Sequence, residues 1–407
     1  METGVIDFLF DVACPFAYLA STRIEAVAAR AGARVRWRPV LLGGLLRATG
    51  APDDPNAVMP PAKRALVRLD MLRQADVLGV PLTIPDAHPR RTLDAMRWLV
   101  ATPDDALPAL AARLFRAYWV EGADVADRAV LRAIGAEQGV DVDRIVDDAE
   151  TRALLRARTD EAVARGAFGV PTVFVGEQRV WGADRLWQVE QALGLPVPPA
   201  VAGTASGGTL EWFHDFASPF SYLASTQIRA VADQLGAELV QTPVLVGALF
   251  QAIGTPMVPV ATFSQAKADH VGRDLAAWAA RYGVPFRFAS NFPIRTLHAD
   301  RVALVAPAVT DAVYRAAWAD DRDVATPEGL RAVLDDAGFD GADLLARAED
   351  PAVKAQLRAN TERAVALGVC GVPTFRVGDQ LFWGQDRLDH VARALGGWRV
   401  DDPGSAA

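Results

Sequence analysis

Two places in the chain set a side chain capable of sulfur or proton chemistry directly before a proline: Cys14 in DVACPFAYLAST, Asp11 to Thr22, and Ser218 in DFASPFSYLAST, Asp215 to Thr226. Each follows a short apolar run and precedes a helical pattern, which reads as a strand, a turn and a helix N-terminus. A thiol or hydroxyl there faces unpaired backbone N–H groups and the positive end of the helix dipole, which favour an anionic sulfur or oxygen. Lowering a thiol pKa from about 8.5 to about 6.5 takes roughly 2.7 kcal/mol. A charge-assisted hydrogen bond of roughly 1.5 to 3 kcal/mol and a dipole contribution of about 0.3 to 1 kcal/mol supply most of that. The expected chemistry is that of a thiolate, either the protein's own at Cys14 or an external one supported by Ser218. Position 17 is alanine, so there is no CxxC pair and ordinary dithiol exchange is not expected. Cys14 reads equally as a tolerated replacement of serine in a structural domain.

Further candidates lie downstream. GVPT occurs twice, with Val170-Pro171 and Val372-Pro373. A cis bond at that proline would leave the preceding backbone free to pair with an extended peptide. Cys370, three residues before Pro373, is expected near the second site and reads first as a buried core thiol. Lys63 and Lys267 occupy matched positions and read as surface charges or as carboxylate anchors. Arg91 and Arg295 either bind a carboxylate or pair with the abundant acids. Trp181 and Trp383 read as packing residues. His88, His214, His270, His298 and His390 show no ligand spacing, so no metal is assigned.

The positioning elements are legible in order. VIDFLF, Val5 to Phe10, reads as a buried strand. The helix after Pro15 places Ala20, Ile24 and Val27 on one face and closes at Gly32. RVRWRP alternates as a strand with one wet face, so the chain opens β-α-β. From Leu41 to about Gly166 the pattern is helical and broken by Pro and Gly. Strand signals return at Val170 to Val175 and Gln178 to Trp181, followed by a helix from Asp184 to Leu193.

The same order then repeats. Cys14 matches Ser218 at an offset of 204 residues, as Gly79-Val80-Pro81 matches Gly283-Val284-Pro285, and Pro171 matches Pro373 at 202. A period near two hundred residues marks a duplicated domain. The expected division is 1–194, a Pro-rich then small-residue linker at 195–208, 209–398, and a tail at 399–407. With 407 residues, 51% of them hydrophobic, each domain can bury its own core. Lys and Arg number 42 against 50 Asp and Glu, a net charge of −8, which argues against a nucleic-acid surface. Apolar runs are too short and too often interrupted for membrane insertion. Two cysteines give no disulfide framework and no signal peptide precedes the first strand, so a reducing, cytoplasmic setting is expected.

A strand, an active residue before proline, a helix, a helical block and Val-Pro-Thr before a closing hairpin resembles the thioredoxin-like fold with a DsbA-type insertion. The fold class is therefore α/β, two thioredoxin-like domains each with a large helical insertion. SPFSYLAS, GVPFRFASNFPIRTLHADR and GVPTFRVGDQLFWGQDRLDHV in the second half resemble 2-hydroxychromene-2-carboxylate isomerases and kappa-class glutathione transferases; PPAK, GVP, TLDAMR and VWGADRLW extend the likeness to the first half. The resemblance implies a glutathione-dependent (or other low-molecular-weight thiol) cis–trans isomerase of aromatic-degradation intermediates. On that likeness Ser218 hydrogen-bonds the glutathione sulfur. Val372 and Pro373 meet its cysteinyl part, Gln385 and Asp386 its γ-glutamyl end, and Lys267 its glycyl carboxylate or the substrate. Val170, Pro171, Asp184 and Lys63 are the first-half counterparts, with Phe220, Tyr222, Arg295 and Arg91 on the substrate side. Ala51 and Thr255 stand where the family commonly has Asn, removing a glutathione contact in each half. The partner implied is a small molecule, with an internal pseudo-dimer or a homo-oligomer as the assembly. Two other classes remain open: thiol–disulfide or glutathione transfer through Cys14, and a non-catalytic module that binds a thiol adduct.

Overall fold

The computed structural model describes residues 4–52, 54–199, 201 and 207–402. Within the expected linker, residues 200 and 202–206 lie outside the described residues, as do 403–407 of the tail. The chain divides into two compact units. One joins Met1–Val58, Met71–Pro198 and Ser264–Lys267; the other joins Met59–Asp70, Pro199–Phe263 and Ala268–Ala407. The halves therefore do not separate into contiguous blocks, because the segment carrying Lys63 packs with the second unit and the one carrying Lys267 with the first.

In the first unit, β1 (Val5–Phe10) pairs parallel with β2 (Arg34–Pro39) and antiparallel with β3 (Thr172–Val175), which pairs antiparallel with β4 (Gln178–Trp181). The sheet order is β2-β1-β3-β4. Central β1 is buried on both faces, which is why its sequence is a near-continuous apolar run. Its one charge, Asp7, is met by Arg36 at 2.5 Å and Arg165 at 2.8 Å. Burial pushes that carboxyl up, but the two guanidiniums outweigh it and hold it below the usual carboxylate range.

The second unit repeats the arrangement with β5 (Thr209–His214), β6 (Glu238–Pro243), β7 (Thr374–Val377) and β8 (Gln380–Trp383), in the order β6-β5-β7-β8. Glu211 takes the place of Asp7 and is bound by Arg363, Arg376 and Thr242. Between the second and third strands of each unit lies the helical insertion, with helix starts fixed by aspartates such as Asp148 and Asp350. These accept the Thr151 and Ala352 N–H groups at 2.7 and 2.8 Å.

Two details differ from expectation. The first-unit helix after Pro15 is broken into Pro15–Ser21 and Ile24–Arg30, whereas Pro219–Leu235 runs unbroken. The break falls at Thr22 and Arg23, where burial lowers the Arg23 guanidinium pKa and the charges of Glu190 and Asp184 oppose that shift. The helix expected from Asp184 begins instead with a 3-10 turn, Ala183–Arg185, before Leu186–Ala192. No helix among the described residues is long and apolar enough to cross a membrane.

Candidate functional site

In the second unit β5 ends at His214, and the four residues Asp215 to Ser218 turn the chain into the helix Pro219–Leu235. The turn is held by a buried carboxylate. Asp215 accepts the Ala217 N–H at 2.8 Å, the Val246 N–H at 2.8 Å and the Thr296 hydroxyl at 2.6 Å, while its own carbonyl accepts the Ser218 N–H at 3.1 Å. Burial raises the Asp215 carboxyl against the pull of these donors. Ser218 is then presented as the helix N-cap. Its Oγ accepts the Ser221 N–H at 3.1 Å and donates to the Val372 carbonyl at 3.1 Å. The reactive position and the residue before Pro373 are thus in direct contact, 154 residues apart in sequence.

The Val372-Pro373 and Val170-Pro171 bonds are cis, as expected. Gly371 is small for a visible reason: a Cβ there would lie 3.0 Å from the Trp383 Nε1. Gly169 meets Trp181 in the same way, which gives both tryptophans the packing role expected of them. Above the Trp383 ring, 5.3 Å from its centroid, stands the Lys63 ammonium. Burial pushes the neighbouring Cys370 thiol up to about 12, although the Lys63 charge pulls the other way. Cys370 is a buried, free thiol.

The remaining expected residues fall at different distances from this centre. Gln385 is buried in the 3-10 turn Gln385–Arg387, its carbonyl accepting the Tyr282 hydroxyl at 3.1 Å, and half-buried Asp386 pairs with Arg387 at 3.2 Å. They precede the helix Leu388–Leu395 instead of opening it. Tyr222 is buried and donates its hydroxyl to the Pro285 carbonyl, the role Tyr18 plays toward Pro81 at 3.0 Å. Phe220 is half-buried. Arg295 is exposed in an open cleft beside Asp321 and Arg322, and Arg91 is exposed. Thr255, where the resemblance expects Asn, has a buried hydroxyl with no hydrogen-bond partner.

The lysines require a correction. Lys267 was expected to serve the second site and Lys63 the first, each within its own repeat. The compact units assign Lys63 to the second and Lys267 to the first. Sequence offset shows that the lysines correspond but carries no information about which sheet each helix start packs on.

Cys14 also departs from expectation. It caps the helix Pro15–Ser21 by position, yet makes no side-chain cap bond, and its Sγ donates to the Val170 carbonyl at 3.1 Å. Burial is the main influence and pushes the thiol up to about 12; the Phe16 and Ala17 N–H groups pull it down and the Asp11 charge raises it. The helix terminus is present but desolvation outweighs it, which favours the neutral thiol at this position. Asp184 pairs with Arg185 at 2.8 Å. The functional residues missed by sequence reasoning are Asp11 and Asp215, which build both turns; the signal was their identical spacing of three before Cys14 and Ser218.

A family model described as a DSBA-like thioredoxin domain matches residues 5–194 and again 209–396. The chain belongs to the DsbA-like thioredoxin family. This DsbA-like chain is 32% identical over 198 residues to a 2-hydroxychromene-2-carboxylate isomerase of Sphingobium xenophagum, which covers 46% of the chain and 97% of the relative. Over 210 residues it is 29% identical to glutathione S-transferase kappa 2 of Caenorhabditis elegans, covering 47% and 92%. A solved 2-hydroxychromene-2-carboxylate isomerase is 26% identical, with a TM-score of 0.41 over 47% of this chain and 94% of that one. Each relative corresponds to about half of this DsbA-like chain, whose two domains stand in tandem.

Proposed function

We propose that the second domain binds glutathione, or another low-molecular-weight thiol, at the N-terminus of Pro219–Leu235 and isomerises a small unsaturated, aromatic-derived carboxylate. The observation that carries this reading is the Ser218 hydroxyl, held at a helix N-cap 3.1 Å from the Val372 carbonyl. The names of the relatives, isomerase and kappa-class transferase, point the same way.

The residues present suit a thiol tripeptide. Thr255 replaces the family's Asn, and so loses that side-chain amide, but offers in its place a buried hydroxyl with no hydrogen-bond partner. Lys63 supplies a cation for a carboxylate beside Trp383. Bound there, the thiol would supply a sulfur nucleophile for reversible addition to a conjugated carbon. Ser218 turns its hydroxyl proton from the Val372 carbonyl toward the sulfur and favours the anion, aided by the helix N-terminus. The Val372 carbonyl, released, would be open to accept a backbone N–H of a bound thiol peptide. Lys63 orients a carboxylate.

The test is turnover of 2-hydroxychromene-2-carboxylate with and without glutathione. Turnover depends on the thiol, Ser218→Ala lowers it about 10- to 100-fold, the worth of one charge-assisted hydrogen bond, and Cys14→Ser leaves it within about twofold. Loss on Cys14→Ser with Ser218→Ala intact contradicts the assignment. A mixed disulfide on Cys14 after treatment with glutathione disulfide would instead favour transfer chemistry in the first domain. Tight thiol retention without turnover would make the second domain a binding module.

A further inference from the structure

Beneath the Ser218 turn the second domain buries a polar cluster where the first domain is apolar. The two repeats can be matched by their own hydrogen bonds. Thr92 and Thr296 donate to Asp11 at 2.8 Å and Asp215 at 2.6 Å. The N–H groups of Met96 and Asp300 meet the carbonyls of Thr92 and Thr296, both at 2.8 Å. The indoles of Trp119 and Trp318 donate to the carbonyls of Val12 and Phe216, both at 2.8 Å. On this register Phe10 corresponds to His214, Ala17 to Ser221, Met96 to Asp300 and Phe115 to Tyr314. All eight side chains are buried.

The first domain is therefore an internal control: closing this core needs no polar group. Yet in the second domain the His214 Nε2 has no hydrogen-bond partner, and the Ser221 Oγ and the Asp300 carboxyl oxygens make no well-formed hydrogen bond, with only the Tyr314 hydroxyl beside Ser221 and the Thr296 hydroxyl and Phe216 N–H beside Asp300. Orphaned polar atoms in a dry core cost stability. Burial lowers His214 to about 3, and raises Asp300 well above the carboxylate range with the Asp215 charge adding to the effect. An arrangement with that cost, which its sister domain omits, points to a role at the site.

Its connections lead there. His214 Nδ1 and the Tyr314 hydroxyl are 3.1 Å apart, and the Ser221 side chain lies beside the same hydroxyl. Ser221 occupies the first helical turn, and its N–H is the donor to the Ser218 Oγ at 3.1 Å. Asp300 lies next to the Thr296 hydroxyl that holds Asp215 and hence the turn.

We infer that His214, Ser221, Asp300 and Tyr314 are positioning residues for Ser218, a network with spare hydrogen-bonding capacity that lets the first helical turn rebond when the Ser218 hydroxyl leaves Val372 for a bound sulfur. This rests on the thiol-binding reading of the same site. None of the four touches the sulfur; they act through the Ser221 N–H and the Asp215 turn.

The test gives the second domain the first domain's set in the full-length chain: His214→Phe, Ser221→Ala, Asp300→Met and Tyr314→Phe together. Tyr314→Phe alone, which removes one hydroxyl, carries the same comparison if the fourfold variant does not fold. The expected result is a melting temperature no lower than that of the parent protein, with the amide of residue 221 exchanging about tenfold faster or more. Ionisation of bound glutathione, followed by thiolate absorbance, moves to higher pH, and kcat falls about tenfold while KM stays within about threefold. Unchanged protection of residue 221 overturns the inference. So does a lower melting temperature in the fourfold variant with Tyr314→Phe unchanged at that amide, since the cluster is then merely structural. If the parent protein takes up no glutathione, the thiol reading fails, and amide exchange alone decides the network.

Discussion

Cys14 and Ser218 sit on the same turn, each against the carbonyl before its proline, and differ in what the helix gains from them. Ser218 accepts the Ser221 N–H, whereas Cys14 leaves its helix without a side-chain cap. Cys14→Ser should therefore stabilise the protein by about 0.5 to 1 kcal/mol, read in thermal unfolding, because a hydroxyl supplies the missing cap. His214 gives a pH signature. Its folded pKa of about 3 lies below the ordinary value near 6.5, so between them the unfolded chain holds the extra proton. The contribution is whole above about pH 6.5 and is lost as pH falls, by about 2 kcal/mol at pH 5. His214→Phe should remove that acid sensitivity in denaturant titrations compared at pH 5 and 7.5. Asp300 has the opposite sign: burial raises its folded pKa above the ordinary value, so its cost to stability grows as pH rises through about 4. The advantage of Asp300→Met should accordingly grow as pH rises through the ordinary carboxylate range, read in denaturant titrations.

At the scale of elements, the Gly-Val-Pro turn and the tryptophan facing it form one unit in each domain. Gly371→Ala drives a Cβ to 3.0 Å from the Trp383 indole, so Trp383 must shift and carry its contact with Lys63 with it. The expected cost is about 1 to 3 kcal/mol of stability together with weaker thiol binding, measured by unfolding and calorimetry. These elements were largely legible in sequence. VIDFLF and RVRWRP form the strands Val5–Phe10 and Arg34–Pro39, because alternation and β-branching are local properties. What was not legible is tertiary in origin. The break at Thr22–Arg23 is absent from the matching helix Pro219–Leu235, although both helices open on the same pattern. The Cys14 thiol was expected low from its helix terminus and is high because it is buried, and spacing does not report burial. Asp300 stands out only when Leu93-Asp94-Ala95-Met96 is set against Leu297-His298-Ala299-Asp300.

Across the whole molecule the duplication was readable from matched offsets, but the exchange of short segments between the compact units was not. Met59–Asp70 belongs with the second unit, where Asp70 pairs with Arg387 at 2.5 and 2.9 Å and Leu66 packs against the cluster around Phe213, Leu249 and Val372. Asp70→Ala leaves a largely buried guanidinium without its bidentate partner. It should destabilise the second unit by about 1 to 3 kcal/mol, seen as a lower unfolding midpoint for the Trp383 environment. Lys63→Ala should weaken thiol binding by the second domain, although Lys63 lies in the first half of the sequence.

The duplicated chain is thus expected to work with one site. Cys14 occupies the first-domain position with a buried thiol bonded to Val170, and Ser218 offers the second an adaptable hydroxyl. Calorimetric titration of the full-length protein with glutathione tests this most directly. The account predicts one equivalent per chain, weakened by Ser218→Ala and by Lys63→Ala and unaffected by Cys14→Ser. Two equivalents per chain, no binding, or a single site that disappears with Cys14→Ser would contradict it.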